Sequence, residues 1–323
     1  MSKNLEIDLN TNNQKFDYKL IWSKYSFIIS FVIIFAAASI INKDFLNHRN
    51  IINILMQTSI VGIISLGMTL VILTGGIDLS VGSMVAFIGG CTLMILNSTH
   101  STIIAVIGGL LIGTLIGGIN GVAITKGKIA PFIVTLSTMA IFRSFILYIG
   151  NGGSISGTVN SYKSISSGNL FGLSYPIYIF IALTAIISFI SIKLKFGRYI
   201  YAVGSNEKAA KLSAINVNWV KVKVYMLSGF LTAMAAIIES SRLNSISSAS
   251  TGNGYELDAI AAVIIGGARM SGGRGKLIGT FFGILILGIL NNMLNLMNVS
   301  PYLQGMVKGI IIIISVLIQK RES

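Results

Sequence analysis

Ten stretches of this chain run for close to a bilayer's thickness with almost no charge: 22–41, 51–73, 82–97, 102–124, 129–149, 175–192, 222–243, 257–268, 277–297 and 302–318. A helix rises about 1.5 Å per residue, so about 20 apolar residues cross a hydrocarbon core about 30 Å thick. Inside lipid every backbone polar group must be satisfied internally, which leaves helices or closed barrels. Runs of this length point to helices. The expected fold is therefore all-α, a polytopic membrane protein with about ten transmembrane helices. The eighth run is short for a crossing and reads as a broken or tilted span. Only 11% of the 323 residues are charged, against about 25% in soluble domains. Most of the surface must then face lipid or other helices. The chain divides into a tail over 1–21, a membrane unit over 22–318 and a short end over 319–323. The apolar run from Ser26 ends in Ala36-Ala37-Ala38, which resembles a cleavage site. Its polar leader of about two dozen residues is long for a signal peptide, so it reads as an uncleaved first helix.

Lysines and arginines set the orientation, because short cytoplasmic loops collect them. With the N-terminus in the cytoplasm, 18 of the 24 basic residues fall in inside segments and three, Lys43, Arg49 and Lys163, fall outside. Reversing the chain inverts that ratio. Both termini are expected inside, with the largest basic loop at 193–221. The loop at 150–174, rich in Gly, Ser and Asn, reads as a turn-rich outer loop rather than a folded domain.

The net charge of +14 does not argue for nucleic acid, because the basic residues are scattered between apolar runs with no soluble domain to carry a groove. The single cysteine, Cys91, excludes an intramolecular disulfide. His48 and His100 have no second ligand at metal spacing, so no metal is expected. The nearest approach to a phosphate-binding loop is SGGRGKL at 271–277, which has Met270 where a glycine is needed and Leu277 where Ser or Thr is needed. Nor does any nucleophile elbow or H-E-x-x-H occur. No carboxylate sits clearly mid-span, and an ion-driven transporter needs one or a broken-helix ion site. Energy supplied from outside the chain fits better.

LIGTLIG at 111–117 recurs as LIGTFFG at 277–283, each followed by a proline opening the next run, Pro131 and Pro301. The copies fall on the fourth and ninth runs. An odd offset reverses direction, as in inverted-topology repeats. Gly109, Gly113, Gly117 and Gly121 recur at intervals of four, as do Gly275, Gly279 and Gly283. Such stripes let a neighbouring backbone come close, within one subunit rather than at a dimer seam. Asn120, Asn291, Asn292 and Asn295 are candidates to line a path for a hydroxylated solute, or to tie helices together. Glu239 and Arg242, three apart, can pair. Arg143 and Lys308 are the most embedded cations.

The stretch 197–223 is polar and basic in an otherwise apolar chain. Ser205 or Asn206 can cap a short helix with Glu207 in its first turn, and Ala209, Leu212 and Ile215 form an apolar edge. Such a helix lies on anionic lipid or fits a cleft on a partner. GRYIYAVGSNEKAAKLSAINV at 197–217 resembles the coupling segment of monosaccharide ABC importer permeases of the ribose type. LTGGIDLSVGS at 73–83 is similar to that family's first signature. YELDAIAAVIIGGARMSGGRGKLIGTFFG at 255–283 and LGILNNMLNLMNVSPYLQGMVKG at 287–309 resemble its second. The likeness covers most of the chain from about Leu66 onward, while the first 50 residues match poorly.

The resemblance implies an inverted-repeat ABC permease fold in a bacterial cytoplasmic membrane. It implies a second copy of the chain, cytoplasmic ABC ATPase subunits and an extracytoplasmic sugar-binding protein. ATP and Mg would be bound by the ATPase, with no cofactor and no catalysis in this chain. The cargo would be ribose, another sugar or a furanosyl signalling molecule; an ion-coupled secondary transporter is the rival reading. By the same likeness Gly197, Arg198, Gly204, Ser205, Asn206, Glu207, Ala209, Ala210, Ser213 and Ile215 form the coupling segment. Gly75, Gly76, Asp78, Ser80 and Gly82 form the first signature's turn, with Asp78 or Ser80 expected to cap the third span.

Overall fold

The computed structural model describes residues 18–321, so most of the expected tail, 1–21, lies outside the described residues. Each of the ten apolar runs lies in or overlaps a helix. In chain order these are α1 (Tyr18–Ile41), α2 (His48–Leu73), α3 (Val81–Thr99), α4 (Thr102–Thr125), α5 (Pro131–Ile149), the one-turn α6 (Ser164–Ser167), α7 (Tyr175–Lys193), α8 (Lys195–Ser205), α9 (Glu207–Leu212), α10 (Val217–Leu243), α11 (Tyr255–Ile265), α12 (Leu277–Leu296) and α13 (Pro301–Arg321). Pro131 and Pro301 open their helices, where a missing N–H costs nothing. Among the described residues, α2, α3, α4, α5, α7, α10 and α12 are long and apolar enough to cross a membrane.

The eighth run does not form a continuous helix long enough to cross a bilayer. It yields the 11-residue α11, only about 16 Å long. Gly266 ends the helix, and an irregular segment leads from there to Lys276. The helix of the seventh run, α10, starts five residues earlier than that run, at Val217, so Lys221 and Lys223 belong to a helix rather than to a loop. Four short strands lie in the connections: β1 (Ser154–Ser156), β2 (Asn169–Leu170), β3 (Leu173–Ser174) and β4 (Ser245–Ser247).

Helix contacts reveal an internal repeat. α3 packs on α4, α5 and α10, and α11 packs on α12, α13 and α2. α10 packs on α4, and α2 packs on α12. Exchanging α2 with α10, α3 with α11, α4 with α12 and α5 with α13 turns each contact into another observed one. The two exchanged helices α2 and α10 also pack on each other, and α2 is the most enclosed of the long ones. Each half contains a turn followed by a helix, 74–80 before α3 and 244–254 before α11. The first turns of those helices meet, since a Cβ on Gly82 would run into the Glu256 carboxylate and the Gly252 carbonyl.

The glycine stripes lie at these seams. A Cβ at Gly113 would come 2.6 Å from the Gly229 carbonyl, and one at Gly117 would strike that of Tyr225. At Gly121 it would meet the Val222 backbone, and at Gly109 the Thr92 hydroxyl. Gly279 and Gly283 press on the Gly266 and Ala262 carbonyls of the α11 segment. Gly275 does not extend the second stripe, because it precedes α12 in an irregular segment and packs on Ala268 instead.

The connection 150–174 is more than a surface loop. Tyr162 is fully buried, and its hydroxyl donates to the Ile237 carbonyl at 3.1 Å and pairs with Ser240 Oγ at 2.6 Å. β1 pairs antiparallel with β4, Ile155 opposite Ile246. A buried phenol needs a partner for its hydroxyl, and α10 supplies it. That local polarity makes a loop sequence into a plug.

Candidate functional site

Two regions gather the residues singled out by sequence. In the first, the basic stretch folds as two helices. α8 goes beyond the single short helix that the sequence predicts, and its Phe196, Ile200 and Val203 follow helical spacing. Its Ile200 and Val203 are buried. Asn206 caps α9, its side chain accepting from the Ala209 N–H at 3.0 Å. Glu207 then bonds Lys211 at 2.9 Å and Lys221 at 2.8 Å, tying α9 to the start of α10. The two ammonium groups, Lys221 first, hold the Glu207 carboxyl below its ordinary value. Ala210 faces inward, while Lys208, Ala209, Lys211, Leu212 and Ser213 form an exposed ridge with Leu212 89% exposed. Arg198, Ser205 and Asn206 are also on the surface, Gly197 is buried, and Gly204 and Ile215 are half-buried.

Behind the ridge three segments meet at glycines. The Gly273 N–H donates to the Leu73 carbonyl at the end of α2, 3.0 Å away. Gly204, near the end of α8, fits where any Cβ would strike that carbonyl and the Gly273 nitrogen. Gly272 and Gly273 have φ of 86° and 72°, backbone that only glycine adopts freely. Tyr201 of α8 donates to the Gly275 carbonyl at 2.9 Å. α8 is thereby held against the end of α2 and the segment entering α12.

The signature turn sits just above this junction. Asp78 and Ser80 are fully buried. Ser80 is the residue before α3, but its side chain does not cap the helix. Its hydroxyl instead donates to Asp78 Oδ1 at 2.5 Å, and its N–H donates to the same oxygen at 3.1 Å. Asn120 donates to Ser80 Oγ at 3.1 Å and Ser228 donates to Asp78 Oδ2 at 3.4 Å. Tyr225 donates to the Ile77 carbonyl at 2.9 Å and fills the space beside Gly76. Asn120 is thus part of a buried knot joining α3, α4 and α10.

The second region is a polar cavity of about 320 Å³ among α2, α10, α11, α12 and α13. Asn291, Asn292 and Asn295 all reach it. Asn292 exchanges two hydrogen bonds with Asn50 of α2, at 2.7 and 3.0 Å. Asn295 accepts from Gln304 of α13 at 2.8 Å. Lys308 and Asp258 form an ion pair at 2.9 Å across α13 and α11, and Arg242 lies 3.9 Å from Glu239. Arg143 is used elsewhere, donating to the Ser248 and Thr251 carbonyls at 2.9 Å each. Sequence reasoning missed Gln57, Tyr255 and the Lys308 partner, because their neighbours come from distant helices.

Comparison with known proteins gives a consistent picture. A family model described as branched-chain amino acid transport system / permease component matches residues 50–316. The ribose import permease protein RbsC of Haemophilus influenzae is 45% identical over 293 residues, 90% of each chain. RbsC of Bacillus subtilis is 43% identical over 320 residues, 98% of each chain. The L-arabinose transport system permease protein AraH of Escherichia coli is 36% identical over 305 residues, 94% of this chain and 93% of that one. No solved structure matches the chain.

Proposed function

The chain belongs to the branched-chain amino acid transport system / permease component family, and on that premise we propose that it is the membrane-spanning subunit of a binding-protein-dependent ABC importer that carries a monosaccharide, ribose first. The observation that carries this reading is the likeness over 98% of both chains to a ribose import permease. The weaker likeness to arabinose permeases keeps a second pentose as the alternative cargo. The basic-loop asymmetry supports placing both termini and the α8–α9 ridge in the cytoplasm. ATP and Mg belong to a partner ATPase, and a second copy of the chain completes the pathway.

The geometry supports a direct mechanical route. A closing ATPase that holds the α9 ridge moves α9, and Glu207 passes that movement to Lys221 of α10. The glycine junction passes it to α2 and, through the segment before it, to α12. The same three helices line the polar cavity. Gln57, Glu239 and Asn291 stand 16, 18 and 14 positions from Leu73, Lys221 and Leu277, about 20–27 Å along their helices. Rigid helices can therefore convert movement of the ridge into opening at the cavity. The chain performs no bond chemistry; the two states differ in stability according to the nucleotide state of the partner.

The test is reconstitution in liposomes with the cognate ATPase and sugar receptor. Uptake of labelled D-ribose should require ATP and survive an ionophore. Uptake without the ATPase, or uptake abolished by the ionophore, overturns the reading in favour of a secondary transporter.

A further inference from the structure

Three side chains that line the polar cavity keep unclaimed hydrogen-bonding capacity. Glu239 is 7% exposed, and its Oε1 accepts from the Tyr255 hydroxyl at 3.3 Å. Its Oε2 is buried without a hydrogen-bond partner, and the Arg242 guanidinium stops 3.9 Å away. A buried carboxylate oxygen left open costs free energy that a donor from a ligand recovers. Gln57 of α2 and Asn291 of α12 face the same space, and their amides make no side-chain hydrogen bond among the described residues. Asn292 and Asn295, one turn or less away, are already committed to Asn50 and Gln304.

The charges in the cavity cancel. Glu239 and Asp258 stand against Arg242 and Lys308, and no other charged side chain among the described residues lines it. A net ion gains nothing from such a site. A neutral ligand with several hydroxyls does, because each amide both donates and accepts and the carboxylate accepts from hydroxyl donors. At about 320 Å³ the space is at the small end of the ~300–1,000 Å³ of small-molecule sites, which suits one sugar ring.

We infer that this cavity is a binding site for a neutral monosaccharide within a single chain, with Glu239, Gln57 and Asn291 holding its hydroxyls and the Tyr255 ring forming part of the wall. The inference rests on the importer reading and adds to it. The cargo pauses in each subunit on side chains of its own, so selectivity is not left to the receptor alone.

The test uses the full chain in lipid nanodiscs with D-ribose as the probe, read by ligand-observed saturation-transfer NMR. L-Leucine serves as the competitor, because an amino acid carries both charges and a branched apolar group. Saturable ribose binding is expected, with no displacement by leucine. Glu239→Gln and Asn291→Ala should each weaken binding at least about tenfold. The substitutions are on different helices, so one carries the test if the other fails to fold. Wild-type chain that supports ATP-driven ribose uptake in liposomes yet binds no ribose alone overturns the site and leaves the importer standing. Unchanged affinity in the folded variants, or displacement by leucine, also overturns it. Ribose binding without any ATP-driven uptake supports the site while the importer reading fails.

Discussion

Glu207 and Lys221, fourteen residues apart, meet at 2.8 Å and join the six-residue α9 to the first turns of α10. A helix of that length has no independent stability in water. It persists through its Asn206 cap, this ion pair and the burial of Ala210 against its neighbours. Its outward face is exposed.

That face gives the first expectation. Leu212 is 89% exposed and makes the ridge's apolar tip. Leu212→Glu should leave the melting temperature within about 2 °C, because surface changes move stability by about 0.5 kcal/mol or less. It should abolish copurification of the ATPase and reduce ATP-driven uptake at least about tenfold, as loss of a central apolar anchor costs about 2 kcal/mol or more. Normal copurification would remove α9 from the interface.

The second concerns pH. The Glu207 carboxyl is held below its ordinary value by Lys221 and Lys211. A depressed carboxylate contributes its stability above the unfolded value of about 4.3 and loses it as pH falls through the lower folded value. The side chain is 42% exposed, so screening keeps the contribution to about 0.3–1 kcal/mol. Amide exchange in α9 should accelerate below about pH 4 in wild type, relative to the rest of the chain. Glu207→Gln should show that faster exchange already at neutral pH and little further change on acidification. An identical pH response in both would disprove the clamp.

A third expectation separates two adjacent glycines. A Cβ at Gly117 would enter the Tyr225 carbonyl, whereas one at Gly118 meets only the flexible Met226 side chain at 3.3 Å. Gly117→Ala should destabilise the α4–α10 seam by about 1–3 kcal/mol. Gly118→Ala should be neutral or slightly stabilising, since alanine favours helix by about 1 kcal/mol. Thermal unfolding in detergent distinguishes them, and equal melting temperatures would contradict the seam.

The fourth tests the plug. Tyr162→Phe removes a hydroxyl that serves both Ser240 and Ile237, and should cost about 1–3 kcal/mol. Tyr162→Ala adds a cavity and should cost about 3–5 kcal/mol. Proteolysis between 150 and 174 should rise in the same order. Equal resistance in all three proteins would show that the loop is held some other way.

Much of this architecture could be read before any coordinates. Apolar runs mark helices because the cost of exposing or burying a residue in lipid is local and adds along the chain, which is why nearly every boundary fell within a few residues. The LIGT repeat was also legible, as was a cap at Ser205 or Asn206, of which Asn206 is the one that caps α9. Tertiary structure alone decided which polar groups remain open. Asn291 and Asn292 are neighbours in sequence, yet Asn292 is consumed by Asn50, 242 positions away, and Asn291 faces a cavity. Asn120 went into a knot with Ser80 for the same reason, and Lys308 found Asp258. Whether a side chain is spent or available depends on which distant helix stands opposite it, and that is a property of packing, not of spacing along one strand of sequence.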